Sequence, residues 1–136
     1  MNNSALASEF MTRAFRSLNN AKTSYEEGDL TDAISYLYSV VELLSAALLG
    51  LYGFYTPCEH KAQMLNVIVS KVNEKEIALI RKLQLLEQRL YPTLLVDESS
   101  LKEGSVVARN VETKNLVKEV EDLFELANKV FEEFYS

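Results

Sequence analysis

The chain has 136 residues, of which 48% are hydrophobic and 25% are charged, and this composition is enough to bury the core of one ordinary domain. Its net charge of -6 excludes a generic nucleic-acid binder, which presents a basic face to phosphates, and leaves only RNA contact through a small local patch. The one cysteine, Cys58, excludes an internal disulfide, and 4 glycines with 2 prolines favour long helices over a many-stranded sheet.

No signal-peptide pattern opens the chain, since residues 1–4 lead into an amphipathic segment rather than into a basic stub and an apolar run. The longest uncharged stretch, residues 43–58, counts 16 residues. A bilayer span needs about 20 strongly apolar residues. We therefore expect a cytoplasmic protein without a membrane partner.

The first two helices are predicted over residues 4–27 and 30–53. In the first, apolar residues recur every three or four positions and form one stripe, and Gly28 after it favours the left-handed turn that ends a helix. The second is apolar on most of its circumference, which is typical of a helix in the middle of a bundle.

A narrow polar line crosses the second helix at helical spacing and contains Ser35, Ser39, Glu42 and Ser45. The simpler interpretation is a thin strip that faces water or a neighbouring loop. The other is a polar seam in a dimer interface or a cleft, because Glu42 is a charge among leucines. The sequence leaves both open.

Two local patterns predict the third and fourth helices. The sequence TPCE, residues 56–59, matches a capping box with proline at the first helical position, and predicts a helix over 57–72. The sequence NEKE, residues 73–76, predicts a second cap and a helix over 74–90, which the Tyr-Pro pair at 91 and 92 ends.

Residues 92–111 are predicted to be irregular, and residues 112–135 to form the last helix. Short connections favour antiparallel neighbours. The elements together predict an all-α fold, a single-domain antiparallel helical bundle of about five helices over residues 1–136, with the second helix the most buried.

Metal and cofactor chemistry have little support in the sequence. Tetrahedral metal sites need several imidazole or thiolate ligands, whereas the chain has one histidine and one cysteine. Cys58 and His60 cannot close a site alone, and His60 is interpreted as a polar residue at a helix start. No glycine-rich phosphate loop is visible, so neither a metal nor a cofactor is predicted.

The stretch SVVARNVETKN, residues 105–115, is the strongest candidate for a functional surface. Arg109, Asn110, Lys114 and Asn115 fall at the predicted start of the last helix, where free backbone N–H groups favour an anion. A guanidinium there can grip a phosphate or a carboxylate through two contacts. The alternative is a solvated loop without a function, because most charged side chains on a protein surface only contact water.

Three features together resemble the HEPN domain family over about residues 5–135: the order of helices, the second-helix sequence GDLTDAISYLYSVVELLSAALLGLYGF, and an arginine followed by a polar residue before the final helix. In that family many members are metal-independent ribonucleases, often toxins paired with a nucleotidyltransferase antitoxin. Their motif is an arginine, a polar residue, a few further residues and a histidine, and two copies meet across a homodimer.

Only the first half of that motif is present. Arg109 and Asn110 match it, whereas Lys, Asn and Leu stand at positions 114–116 and no histidine follows His60. In such ribonucleases the histidine moves protons and the arginine stabilises phosphate charge. Lys114 supplies positive charge but is a poor proton carrier, and Asn115 carries no proton at all. The resemblance therefore implies a helical homodimer without efficient RNA cleavage.

Three functions follow as hypotheses. The favoured one is a non-catalytic binding module of a toxin–antitoxin or nucleotidyltransferase-associated system, which holds a nucleotide, an RNA phosphate or a partner protein. The second is a metal-independent ribonuclease with a degenerate motif. The third is a helical-repeat adaptor, for which a second copy of a repeat of about 34 residues should appear, and none is found.

Overall fold

The computed structural model describes residues 3–94 and 103–135. No strand occurs among these residues, which form five α-helices. A 3-10 helix, Leu65–Lys71, directly continues the third of them. The helices are α1 (Asn3–Glu26), α2 (Leu30–Leu51), α3 (Lys61–Met64), α4 (Glu74–Leu94) and α5 (Glu103–Tyr135). The predicted all-α bundle of about five helices is confirmed.

A tight turn joins α1 to α2 and makes them an antiparallel pair. Gly28 has a φ of 83°, a left-handed conformation that costs glycine little because it has no Cβ, as the sequence predicts. Asp29 then caps α2, since its carboxylate accepts a hydrogen bond from the backbone N–H of Asp32 at 3.0 Å. This pair forms the most extensive helix–helix interface in the described structure.

The four long helices form an antiparallel bundle in which α2 packs against each of the other three. The antiparallel directions follow from three contacts, each of which joins the C-terminal end of one helix to the N-terminal part of another. These contacts are Tyr52–Glu76 for α2 and α4, Lys75–Glu133 for α4 and α5, and Tyr25–Asn110 for α1 and α5. The short α3 lies across α2 and α4 at one side of this bundle.

The second helix supplies the centre of the core. Of its 22 residues, 14 are buried, and its leucines meet apolar side chains from every neighbouring helix. The prediction that this helix is the most buried is confirmed. By length and composition alone α2 could cross a membrane, but its burial among the other helices is that of a core helix.

The predicted helix over 57–72 is wrong in its start and in its type. The Thr56 hydroxyl accepts a hydrogen bond from the backbone N–H of Cys58, only two residues on, so no capping box forms. His60 has a φ of 61°, which breaks the helix path before Lys61. Glu42 and Glu87, from two other helices, bind the free N–H groups of α3 instead. Tertiary contacts have overridden the local pattern.

The predicted boundaries around residues 92–111 are also wrong where the structure describes them. Pro92 does not end α4, which continues to Leu94. Proline has a φ that fits a helix, so the backbone path can continue through it. Proline lacks a backbone N–H, but the hydrogen bond that is lost lies in the last turn of α4, where Pro92 is exposed to water. The last helix begins at Glu103 rather than at 112. Residues 95–102 of the predicted irregular segment lie outside the described residues.

The predicted cap at the start of α4 does form. Asn73 Oδ1 accepts a hydrogen bond from the backbone N–H of Glu76 at 2.9 Å, and the Glu76 carboxylate accepts from the backbone N–H of Asn73 at 3.4 Å. The two side chains therefore satisfy each other's backbone groups, which is the reciprocal geometry of a capping box.

Asn73→Ala removes one half of this box, and we expect it to lower the free energy of unfolding by about 1 kcal/mol. Urea denaturation followed by circular dichroism measures the change. Asn19→Ala is the matched control, because Asn19 is exposed within α1, where alanine is a better helix former. Equal stability of the two variants would contradict a stabilising cap at Asn73.

Candidate functional site

Arg109 lies in the second turn of α5 and points into the protein. It is only 7% exposed, and its Nη2 donates a hydrogen bond to the backbone carbonyl of Thr93 at 3.2 Å. Thr93 is in the last turn of α4, where carbonyls have no partner within the helix and the helix dipole favours a positive charge. Since α4 has no basic residue in its own last turn, Arg109 supplies that charge from α5.

Asn110 faces α1 rather than the partners of Arg109. Its side-chain oxygen accepts a hydrogen bond from the hydroxyl of Tyr25, at the end of α1, at 3.2 Å. Lys114 follows four residues later, so it lies on the same side of α5, and both side chains are exposed. These two residues form a polar surface, together with Tyr25, at the junction of α1 and α5.

The four candidate residues of α5 do not converge. Asn115 is exposed, and successive residues of a helix are rotated by about 100°, so it projects from a different side of α5 than Asn110 and Lys114 do. Arg109 is turned toward α4. Because α5 begins at Glu103, none of the four lies at a helix N-terminus, and the free N–H groups expected to attract an anion are not beside them.

The polar line on α2 passes three different surroundings. Ser35 is exposed, and the Ser39 hydroxyl lies 3.3 Å from that of Ser17 on α1. Glu42 approaches α3, where its two carboxylate oxygens accept from the backbone N–H of Lys61 at 3.1 and 3.3 Å. Ser45 is fully buried and donates to the carbonyl of Val41 in its own helix.

Glu42 is part of a polar cluster that the sequence did not reveal. Glu87 on α4 is 2% exposed, and its Oε2 accepts from the backbone N–H of Ala62 at 3.1 Å. Glu42 and Glu87 thus bind consecutive amides at the start of α3, which brings the two carboxyl groups side by side. We call these two residues the carboxyl pair.

The protonation of the carboxyl pair is shifted by its surroundings. Burial raises the pKa of Glu42 to about 7, and a hydrogen bond with the Glu87 carboxyl adds to the increase. Such a bond requires a proton on one of the two groups, because two carboxylates repel each other where little water is present. The carboxyl pair therefore holds a proton in a pH range where an exposed glutamate is ionised.

His60 borders the carboxyl pair from the side of the solvent. Its Nδ1 lies 3.6 Å from Oε1 of Glu87 and 3.4 Å from the hydroxyl of Tyr38. The edge of its ring meets the Tyr91 ring, with 4.5 Å between the ring centres. The His60 side chain is 41% exposed, so this imidazole is oriented by a buried carboxyl group and still meets water.

The left-handed backbone of His60 is unusual for a residue with a Cβ and costs about 1 kcal/mol or more. The imidazole and the carboxyl pair beside it are groups that can take up and release protons. No group of three or more His, Cys, Asp or Glu side chains within residues 3–94 and 103–135 is arranged to hold a metal ion.

The sequence could not have shown this cluster. Its members come from α2, the connection after α2, and α4, and are separated by as many as 49 positions between Tyr38 and Glu87. The available signals were a glutamate within the apolar α2 and the single histidine of the chain, and each alone has a simple structural explanation.

Arg109→Ala should destabilise the protein by about 2 kcal/mol, because it removes a buried charge-assisted hydrogen bond and the packing of the arginine stem. Urea denaturation measures the loss. Arg13→Ala is the matched control, since Arg13 forms an exposed ion pair with Glu9 within α1, and we expect a change below about 0.5 kcal/mol. An Arg109→Ala protein as stable as the control would show that the guanidinium is free for a ligand.

Comparison with known protein families gives one match that covers nearly the whole chain. The family model of the HEPN domain matches residues 7–134, nearly the whole chain. No curated protein and no solved structure gives a significant match. The HEPN domain is a helical fold, and the helical bundle described above agrees with the family match. The chain therefore belongs to the HEPN domain family.

Proposed function

We propose that this HEPN domain is a non-catalytic, cytoplasmic binding module that acts as a homodimer and binds a partner protein. The observation that carries the proposal is the position of Arg109, whose guanidinium is buried against the end of α4. A ribonuclease of the family type needs that guanidinium at the phosphate and a histidine beside it. Lys114 is at the first of the positions where the histidine is expected.

The charges around the polar surface favour a protein over RNA. Asn110 and Lys114 are exposed there, and Lys114 is the one basic residue among the exposed candidates. Farther along α5, Glu121 pairs with Lys22 of α1 at 2.8 Å. Binding to a nucleic-acid backbone rests on several basic residues that each neutralise a phosphate. A mixed polar surface on a chain with a net charge of -6 is better matched to a polar surface of another protein.

Exposed apolar side chains support a homodimer. Val111, next to Asn110, is 57% exposed, and Leu85 on α4 is 60% exposed. Leu85 lines a groove of about 260 Å³ between α4 and α5. Arg89 pairs with Glu119 across this groove at 2.6 Å, and Lys82 and Asp122 also line it. Exposed apolar residues rimmed by polar ones mark sites of association, and the proposed occupant here is a second copy of this chain.

A ribonuclease that uses other residues is the second candidate, and His60 is the observation that favours it. The imidazole is partly exposed, lies beside Glu87 and adjoins Lys61 in the chain. Such a group can move protons, although Lys61, the neighbouring cation, donates to the Cys58 carbonyl and lies beside Glu42. For the first candidate, the binding module, the proposed partner protein is a nucleotidyltransferase, the class of protein with which many family members are paired.

An RNA cleavage assay in the presence of a metal chelator tests the non-catalytic proposal. We expect no cleavage of a single-stranded RNA oligonucleotide by the purified chain, because no histidine meets Arg109. Cleavage that Arg109→Lys abolishes would overturn the proposal and identify a family-type ribonuclease. Cleavage that survives Arg109→Lys but is lost in His60→Gln would assign the activity to the second candidate.

Partner binding is tested with Lys114→Glu and its control, Lys129→Glu. Lys129 is exposed on the same helix, about four turns away, so both variants change the charge equally. We expect Lys114→Glu to weaken binding of a purified nucleotidyltransferase encoded beside this chain by about tenfold, and the control to leave it unchanged.

The homodimer is tested by light scattering on the wild-type protein and the two lysine variants. All three should give the mass of a dimer, and a monomeric wild-type protein would contradict the homodimer.

A further inference from the structure

Polar contacts hold the first two residues of α3 against the bundle. This helix has only four residues, and the connection that precedes it, residues 52–60, contains no helix. Behind the start of α3, Ala62, Leu65 and Ile68 are fully buried. At the start itself, the amides of Lys61 and Ala62 are bound by the carboxyl pair. The strained backbone of His60, immediately before, makes this the point at which the segment would open first.

We propose that the carboxyl pair is a proton-dependent latch, which holds the start of α3 against α2 and α4 while it shares a proton and loosens when that proton is lost. The geometry supports this coupling, because Glu42 and Glu87 accept from consecutive amides and so lie side by side. The Glu42 side chain is 14% exposed and that of Glu87 is 3% exposed. Little water can therefore screen two negative charges.

The groups that face the carboxyl pair come from every element around it. Lys61 Nζ lies 3.9 Å from Glu42 Oε2, but it also donates to the Cys58 carbonyl at 2.9 Å. His60 is beside Glu87 and adds a positive charge only when protonated. Tyr38 of α2 and Tyr91 of α4 border His60 with their rings, and Glu59 adds a negative charge nearby.

As pH rises, Glu42 loses its proton and the carboxyl pair becomes more negative. The pKa of Glu42 is raised from 4.5 in an exposed chain to about 7 in the folded protein. Its stabilising contribution is therefore complete below about pH 4.5 and is lost as pH rises through about 7.

Hydrogen exchange measured at about pH 5.5 and about pH 8 tests the latch, with protection factors corrected for the intrinsic exchange rate at each pH. In the wild-type protein we expect protection of the amides of residues 61–66 to fall about tenfold at the higher pH. Protection of residues 40–50, in the core of α2, should stay constant. Equal protection of residues 61–66 at both values would overturn the proposal.

Glu42→Gln is the decisive variant, because an amide can accept from Lys61 and donate to Glu87 as the protonated acid does. We expect high protection at both pH values. Glu59→Gln, an exposed neighbour, should keep the wild-type pH dependence. Low protection of Glu42→Gln already at about pH 5.5 would show that α3 needs the carboxylate itself, and would overturn the latch.

His60→Gln separates the imidazole from the carboxyl pair. We expect this variant to retain a fall in protection with pH, since Glu42 still loses its proton. A pH dependence that disappears in His60→Gln and persists in Glu42→Gln would assign the effect to the histidine and overturn the proposal. The exchange readout does not involve RNA or a partner protein, so it is independent of the proposed function.

Discussion

The burial of α2 is the constraint on which the rest of the structure depends. A helix that is apolar on most of its sides must bury most of its surface, so α1, α4 and α5 pack around it. Exposed polar residues of α2 such as Ser35 meet water, while those turned inward need partners that this arrangement fixes. Ser45 turns back on its own backbone, Ser39 meets α1, and Glu42 meets the amide of Lys61. The last of these contacts, together with the bond from the amide of Ala62 to Glu87, holds the start of α3 in place.

Two helix ends in the bundle, the start of α3 and the end of α4, are bound by side chains from other helices. Glu42 and Glu87 bind the first amides of α3, and Arg109 binds a carbonyl in the last turn of α4. In each case the charge has the sign that the helix dipole favours at that end. Glu42, Glu87 and Arg109, the charged side chains best placed for chemistry, thus also join one helix to another. A binding role for any of them has to leave these contacts between helices intact.

The sequence predicted what depends on local interactions. The period of apolar residues predicted the long helices, Gly28 the turn after α1, and Asn73 with Glu76 the cap of α4. It failed where a partner from a distant part of the chain decides the outcome. The TPCE pattern at residues 56–59 could not compete with two glutamates from other helices, and Arg109 lies in a helix that its local sequence did not predict. The same limitation hid the carboxyl pair.

Helix geometry also bears on the half-present family motif. Positions 109 and 114 are five residues apart, which separates their directions on α5 by about 140°. Arg109 is turned toward the end of α4, while Lys114 is on the side that carries Asn110 and faces α1. The two side chains therefore project from different sides of α5. Arg109, from the half of the family motif that is present, is buried against α4, whereas position 114, where the family histidine is expected, is exposed.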